Sequence, residues 1–381
     1  MFKKIAIYFI SWRVLLFLVA FLSIYVIPVF GARFPYADRV LNITHLPYWV
    51  WGFGNFDGVH YLRIAQDGYL AQYSQAFFPV FPILIRFFSF VFPRIPSLDT
   101  NLFTDPAYFY SGIILSNLFF LGALYFYYKL IRIDFKNKTA ILSVLLLLVI
   151  PTSFYFGAIY TESLFLFLSV FSIYLIRKGN YFWAAVIISV ATATRITGVL
   201  LIPLYLIEVF KGKKNINYAW ALITPLGILI YMYFLKTFFG NPFYFLTSQP
   251  IFGAGRSSNE IILLPQVMYR YAKIFLTTNV FTLTFLNAFL EFASTFIPLT
   301  LLIILFKKIR LSYWVFSIST LLIGTLTGTF SSMPRYALIS IVLLLPYLIT
   351  SFKKYIRPAI VVSAILGVLL IMLFVRGYWV A

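Results

Sequence analysis

Four groups of residues in this chain have types and spacings that could do chemistry. The first is the run Trp51-Gly-Phe-Gly-Asn-Phe-Asp57-Gly-Val-His60-Tyr61-Leu-Arg63-Ile64-Ala65-Gln-Asp67-Gly68-Tyr69. On a helix Asp57, His60, Tyr61 and Ile64 share one face. An acid three residues from a histidine at an interface suits a general base with its orienting partner. The plain alternative is a helix N-terminus, with Asp57 as the cap and His60 satisfied locally. The second group is Phe77-Phe78-Pro79-Val80-Phe81-Pro82, continuing to Arg86. Its prolines interrupt a helix and could shape the wall of an acyl-chain groove, or the segment is an amphipathic surface anchor.

The third group is Tyr160-Thr161-Glu162-Ser163, following Pro151 at the end of a helix hairpin. Glu162 opens an apolar helix, where a carboxylate also complements the helix dipole. The fourth is a pair of arginines, Arg195 in Thr192-Ala-Thr-Arg195-Ile-Thr-Gly198 and Arg335 in Ser331-Ser-Met-Pro-Arg335-Tyr336. A guanidinium grips phosphate with a rigid fork of donors; the alternative is snorkelling to lipid headgroups. Glu291, inside a long apolar run, reads as a structural partner for another helix or a tuning group.

The elements that position these groups lie in a membrane. Of 381 residues 62% are hydrophobic and 10% charged, too few charges to cover a soluble surface. Aromatics make up 21%, with 45 Phe and 28 Tyr, which suits hydrocarbon and headgroup belts. The net charge of +20 sits in short clusters between apolar runs, as orienting loops do, and no nucleic-acid motif accompanies it. The absence of cysteine excludes disulfides and thiol chemistry, and two histidines, His45 and His60, make a zinc site an unpromising reading, so no bound metal is expected.

Apolar runs predict crossings at 8–30, 107–131, 139–156, 160–177, 181–194, 196–210, 218–239, 280–306, 312–330, 336–351 and 358–376. The N-terminal run lacks a small-residue cleavage site and is expected to stay as the first helix. The pieces on either side of Arg195 read as half-helices or as one tilted span. Basic clusters at Lys3–Lys4, Lys129 to Lys138, Arg177–Lys178, Lys211 to Lys214, Lys307 to Arg310 and Lys353 to Arg357 mark the cytoplasmic side. The long loops 31–106 and 240–279 then lie outside, with Asp38, Asp57, Asp67, Asp99, Asp105 and Glu260. Ala76 to Phe92 would invert the scheme if it crossed, so it reads as an interfacial or re-entrant helix. The expectation is a single all-α polytopic domain over 1–381 with about 11 transmembrane helices.

Phe56-Asp57-Gly-Val-His60-Tyr-Leu-Arg63-Ile-Ala-Gln-Asp-Gly68-Tyr69, with Ala76-Phe-Phe-Pro79-Val-Phe-Pro82 after it, resembles the signature of the PIG-V-like mannosyltransferases, which include GPI mannosyltransferase II. Pro151 with Tyr160-Thr-Glu162-Ser, then Ala193-Thr-Arg195 with Gly198, and more weakly Ser332-Met-Pro-Arg335-Tyr336, follow in the family's order over residues 50–340. The resemblance implies a GT-C fold, with interfacial helices in the first outer loop. It also implies inverting transfer of a sugar, mannose above all, from a polyprenyl-phosphate donor such as dolichyl phosphate mannose. It places the catalytic acid at Asp57.

On that basis His60, Arg195 and Arg335 are expected at the donor phosphate, and Arg63, Tyr160 and Glu162 at the sugar or acceptor. No cofactor is expected beyond the lipid-linked donor. The acceptor would be a glycolipid or glycan. The Lys-, Ile- and Phe-rich composition suggests a prokaryotic cytoplasmic membrane with the active site outside. The competing reading is a transporter or flippase of lipid-linked saccharides, which would share the arginines but needs alternating access, and no repeat of the transporter kind is seen.

Overall fold

The computed structural model describes residues 1–31, 40–41, 46–93, 105–212, 216–252, 255–257 and 262–380. Asp38, His45, Asp99, Glu260, Lys213 and Lys214 lie outside the described residues. Among those described, the structure is helical throughout, with one isolated parallel bridge between Ile262 and Thr327. Among the described residues six helical segments are long and apolar enough to cross a membrane: Phe2–Val26, Pro106–Asp134, Tyr218–Phe239, Leu283–Ile304, Met333–Ser351 and Lys353–Val375. They coincide with six of the expected crossings. Asn137–Val149, Tyr181–Thr192 and Leu311–Thr325 are apolar helices of shorter length.

The first helix shows why lipid completes the fold. Ile5, Trp12, Leu16 and Val19 are buried on one side, while Ile7, Ile10, Val14 and Leu18 stay about half exposed at helical spacing on the other. A soluble helix would place polar residues there.

The chain packs as two compact units. The first joins Met1–Tyr174 to Phe352–Val380. In it the first helix packs against the last, Ile356–Val375, and against Pro106–Asp134. Trp12 meets Phe120 at 4.9 Å, and Phe120 stacks on Phe156 at 4.6 Å. Beyond the last helix, Arg376 donates from Nε to the Ile27 carbonyl (2.8 Å) and from Nη2 to the Pro28 carbonyl (2.7 Å). Those bonds satisfy carbonyls at the point where the first helix runs out of intrahelical donors.

The segment between Ala76 and Phe92 forms a nine-residue helix, Val80–Phe88, followed by a short 3₁₀ turn. At 1.5 Å per residue it spans about 13 Å, too short to cross. It buries Phe81, Pro82 and Ile85 and leaves Ile83 and Phe87 exposed. Both faces are therefore apolar, which suits a helix lying partly in lipid.

The second unit, Leu175–Ser351, carries the remaining long helices. Here Glu208 accepts two bonds from Arg310, at 2.6 Å to Nε and 2.5 Å to Nη2, and a third from the Ser312 hydroxyl. The pair ties Leu201–Gly212 to the start of Leu311–Thr325. Glu208 is 5% exposed and Arg310 33%. Glu291 receives a hydrogen bond from Tyr271, joining Leu264–Thr277 to Leu283–Ile304, the structural partnership the sequence suggests.

Arg310→Met strands a buried carboxylate and is expected to destabilise the protein by about 2–3 kcal/mol, the low end for a buried pair because the arginine keeps some solvent. Glu208→Gln with Arg310→Met should recover most of that loss. Thermal unfolding of the purified single and double variants measures both.

Candidate active site

The site is built on a backbone that its sequence does not prefer. Asp57 is the first residue of the helix Asp57–Asp67, and Phe56 before it has φ 59 and ψ −116. A bulky residue with positive φ costs on the order of 1–3 kcal/mol and persists only where its surroundings over-determine it. Three contacts do so. The Asn55 side-chain amide, wholly enclosed, donates to the carbonyls of Phe374 (3.0 Å) and Val375 (3.2 Å). The Tyr160 hydroxyl donates to the Asn55 carbonyl at 2.9 Å. The Phe56 ring packs against Phe374 at 5.8 Å and Trp379 at 5.0 Å.

The first and third groups of candidate residues therefore meet within one unit. Ile159 N donates to the Phe53 carbonyl at 2.9 Å, and the hydroxyls of Tyr61 and Thr161 lie 3.4 Å apart. With the Tyr160–Asn55 bond, three polar contacts join 53–61 to 159–161. Tyr160 is fully buried and Glu162, at the start of Glu162–Arg177, is too. Asp57 itself is half-buried. Phe56 stands at the N-cap position, so Asp57 lies in the first turn of the helix.

The second group supplies a wall. His60 stacks on Phe77 with ring centroids 4.5 Å apart, and Tyr61 meets Phe77 and Phe81 edge-on at 5.2 and 5.5 Å. Tyr69 donates to the Phe77 carbonyl at 2.7 Å, fixing that wall to the end of the Asp57–Asp67 helix. Burial lowers the His60 pKa from its ordinary 6.5, while Asp57 pulls it up. In the ligand-free protein the neutral imidazole is thereby favoured. Arg63 forms an ion pair of 2.7 Å with Asp67 one turn away. Among the described residues no three His, Asp or Glu side chains gather as metal ligands would.

Arg195 and Arg335 belong to the second unit. The helix Tyr181–Thr192 stops before Arg195, whose backbone is extended, and a 3₁₀ turn, Ile196–Leu200, leads into Leu201–Gly212. The half-helix alternative holds here. Gly198 permits the break, because a Cβ there would lie 2.3 Å from the Ala191 carbonyl oxygen. Arg335 is buried in the first turn of Met333–Ser340, behind Ser332, which has φ 66. Arg256, which sequence reading missed, donates from Nη2 to the Ser332 hydroxyl at 2.9 Å and from Nη1 to Gln249 at 3.1 Å.

With that geometry in place, comparison with known proteins is informative. The sequence profile of the mannosyltransferase (PIG-V) family matches residues 2–223, more than half of the chain. The chain belongs to the mannosyltransferase (PIG-V) family. The matched stretch contains Asp57, His60, Arg63, Tyr160, Glu162 and Arg195. No curated protein matches this mannosyltransferase family member. Among solved structures it is similar to the oligosaccharyltransferase of Archaeoglobus fulgidus. The apo form shows 14% identity and a TM-score of 0.48, covering 98% of this chain and 56% of that one. The complex with zinc and sulfate shows 14% identity and a TM-score of 0.44, covering 95% and 53%. The chain spans about half the length of these structures.

Asn55 is the second residue that sequence reading missed; a polar side chain in an apolar run before the acid was its only signal. Asn55→Ala removes two bonds from buried carbonyls, at about 1–3 kcal/mol, and unpins Phe56. Lower thermal stability with a larger fall in transfer rate is expected, the two read on the same preparation. His60 gives a pH signature. Its folded form binds a proton more weakly than the unfolded chain, so its contribution is intact above about pH 6.5 and is lost as pH falls below it. Between pH 7 and 5 the melting temperature should therefore drop more steeply in the wild type than in His60→Gln, a difference that thermal scans detect.

Proposed function

We propose that this membrane protein is a glycosyltransferase that moves mannose from a polyprenyl-phosphate donor to an extracytoplasmic glycolipid or glycan, with inversion at the sugar, on a GT-C fold. The observation that carries the reading is the junction of the Asp57 helix with the Tyr160–Glu162 segment in a family of mannosyltransferases. Asp57 takes the proton from the acceptor hydroxyl as its oxygen bonds to the sugar C1. The bond from C1 to the phosphate oxygen breaks on the opposite face, and its electron pair leaves with the polyprenyl phosphate. That leaving group needs charge stabilisation more than a proton. In this reading the His60 imidazole donates a hydrogen bond to it. Glu162 orients the sugar or acceptor, and Arg63 reaches it when released from Asp67. Tyr160, enclosed and bonded to Asn55, acts by holding the Asp57 loop.

The extracytoplasmic placement is supported by the basic clusters at the opposite ends of the helices. The prokaryotic cytoplasmic membrane is supported by the Lys-, Ile- and Phe-rich composition. The chemistry proposed for the chain's own residues routes no step through a metal.

Asp57→Asn keeps size and hydrogen bonding but cannot accept the proton. It should lower transfer from a short-chain polyprenyl-phosphate mannose by at least about 100-fold, with donor binding and thermal stability near wild type. Radiolabel appearing in a new glycosidic product separates transfer from translocation, since a flippase yields no such product. Full activity in Asp57→Asn would remove that carboxylate from the mechanism.

A further inference from the structure

Arg13 lies midway along the first membrane-spanning helix, Phe2–Val26. A cation at that depth is costly and is kept where it has a task. The side chain is buried, and its Nη1 and Nη2 atoms have no hydrogen-bond acceptor among the described residues. What it does have is two aromatic faces. Its guanidinium carbon lies 4.1 Å from the Phe17 ring centre and 4.2 Å from that of Phe53. The two rings meet edge to face at 5.4 Å, so the cation fills the corner between them. Its other side is Gly157, where a Cβ would fall 2.4 Å from Nη1.

Both neighbours lead into the candidate site. Phe53 stands four residues before Asp57, and its carbonyl receives the Ile159 amide at 2.9 Å. Gly157 closes the 3₁₀ turn Ser153–Gly157, three residues before Tyr160. We propose that Arg13 is a positioning residue for the mannosyl transfer. Its guanidinium wedges between Phe53 and Gly157 and sets the spacing of the two segments that carry Asp57 and Tyr160–Glu162. This rests on the reading of Asp57 as the base. Cation–π attraction holds Phe53 on one side, and the missing side chain at residue 157 lets the fork sit against backbone on the other. An arginine chosen for stability alone would be given a carboxylate or replaced by an apolar residue. This one is placed where a small displacement moves a reacting group, and a shift of about 1 Å can cost about 100-fold in rate.

The test uses the full-length protein in detergent or lipid nanodiscs. Arg13→Met removes the charge and keeps the length, Arg13→Lys keeps the charge without the planar fork, and Gly157→Ala pushes the fork away with no change of charge. Each is assayed for thermal stability, for kcat and KM with short-chain polyprenyl-phosphate mannose, and for amide hydrogen exchange over 53–61 and 157–162. Arg13→Met should keep or raise the melting temperature, and Gly157→Ala should lower it only modestly, as overpacking of a buried site does. They should lower kcat by about 10- to 100-fold with KM within about threefold, and speed exchange in those two segments. Arg13→Lys should recover part of kcat.

Unchanged exchange with unchanged kcat in Arg13→Met overturns the proposal. So does a kcat loss explained by a collapse in melting temperature for both Arg13→Met and Gly157→Ala. Should Arg13→Met loosen both segments while Asp57→Asn remains fully active, the spacing role stands and the assignment of the base fails.

Discussion

A buried amide at Asn55 is the interaction on which the candidate site depends. Its side-chain NH2 holds two carbonyls at the end of the last helix, while the Asn55 backbone carbonyl is held by the Tyr160 hydroxyl. Between these anchors the chain must turn at Phe56 with positive φ, and Asp57 is thereby delivered at the start of a new helix. In water such a turn would relax. Here the alternatives leave polar backbone groups unpaired in an apolar interior, which costs more than the strain.

The same logic explains why parts of the chain distant in sequence converge on one loop. Residues 374–379 form one side of it, through the carbonyls that Asn55 binds and through the rings of Phe374 and Trp379 against Phe56. Residues 157–161 form the other, through Ile159, Tyr160 and Thr161. The Phe77–Phe81 wall completes the enclosure around His60 and Tyr61. In membranes the driving force between helices is packing and hydrogen bonding, since lipid is as apolar as the side chains. The dense aromatic contacts and carbonyl-directed bonds of this unit fit that requirement, and they make Asp57 part of a rigid frame within a loop that sequence alone reads as open.

The second unit holds Arg195 and Arg335 by different means. Arg195 stands at a helix break made possible by Gly198, and Arg335 sits behind a strained Ser332 to which Arg256 is bonded. Both arginines stand at or beside irregular backbone, Arg195 in a helix break and Arg335 three residues after Ser332, the arrangement tolerated at membrane depth only where protein buries it or a cavity is lined. The Glu208–Arg310 pair, by contrast, is a tie between helices with every carboxylate oxygen bonded.

Much of this was legible in the residues. Composition and apolar runs determine a helical membrane protein, since no soluble surface can be built from 10% charged residues. Asp57, His60, Tyr160, Glu162 and the two arginines stood out because ionisable and polar groups in apolar surroundings need a reason. The Ala76–Phe92 segment was recognisable as a helix that does not cross, because a crossing there would invert the basic cluster from Lys129 to Lys138. What the sequence could not decide was partnership across more than a hundred residues. Nothing local in Asn55 points to Phe374, nothing in Arg13 points to Phe53 and Gly157, and the pairing of Arg63 with Asp67 competes with any reach toward a substrate. Those choices belong to the tertiary structure, because a buried polar group takes whichever partner the packed helices bring within hydrogen-bonding distance, and sequence separation has no bearing on that.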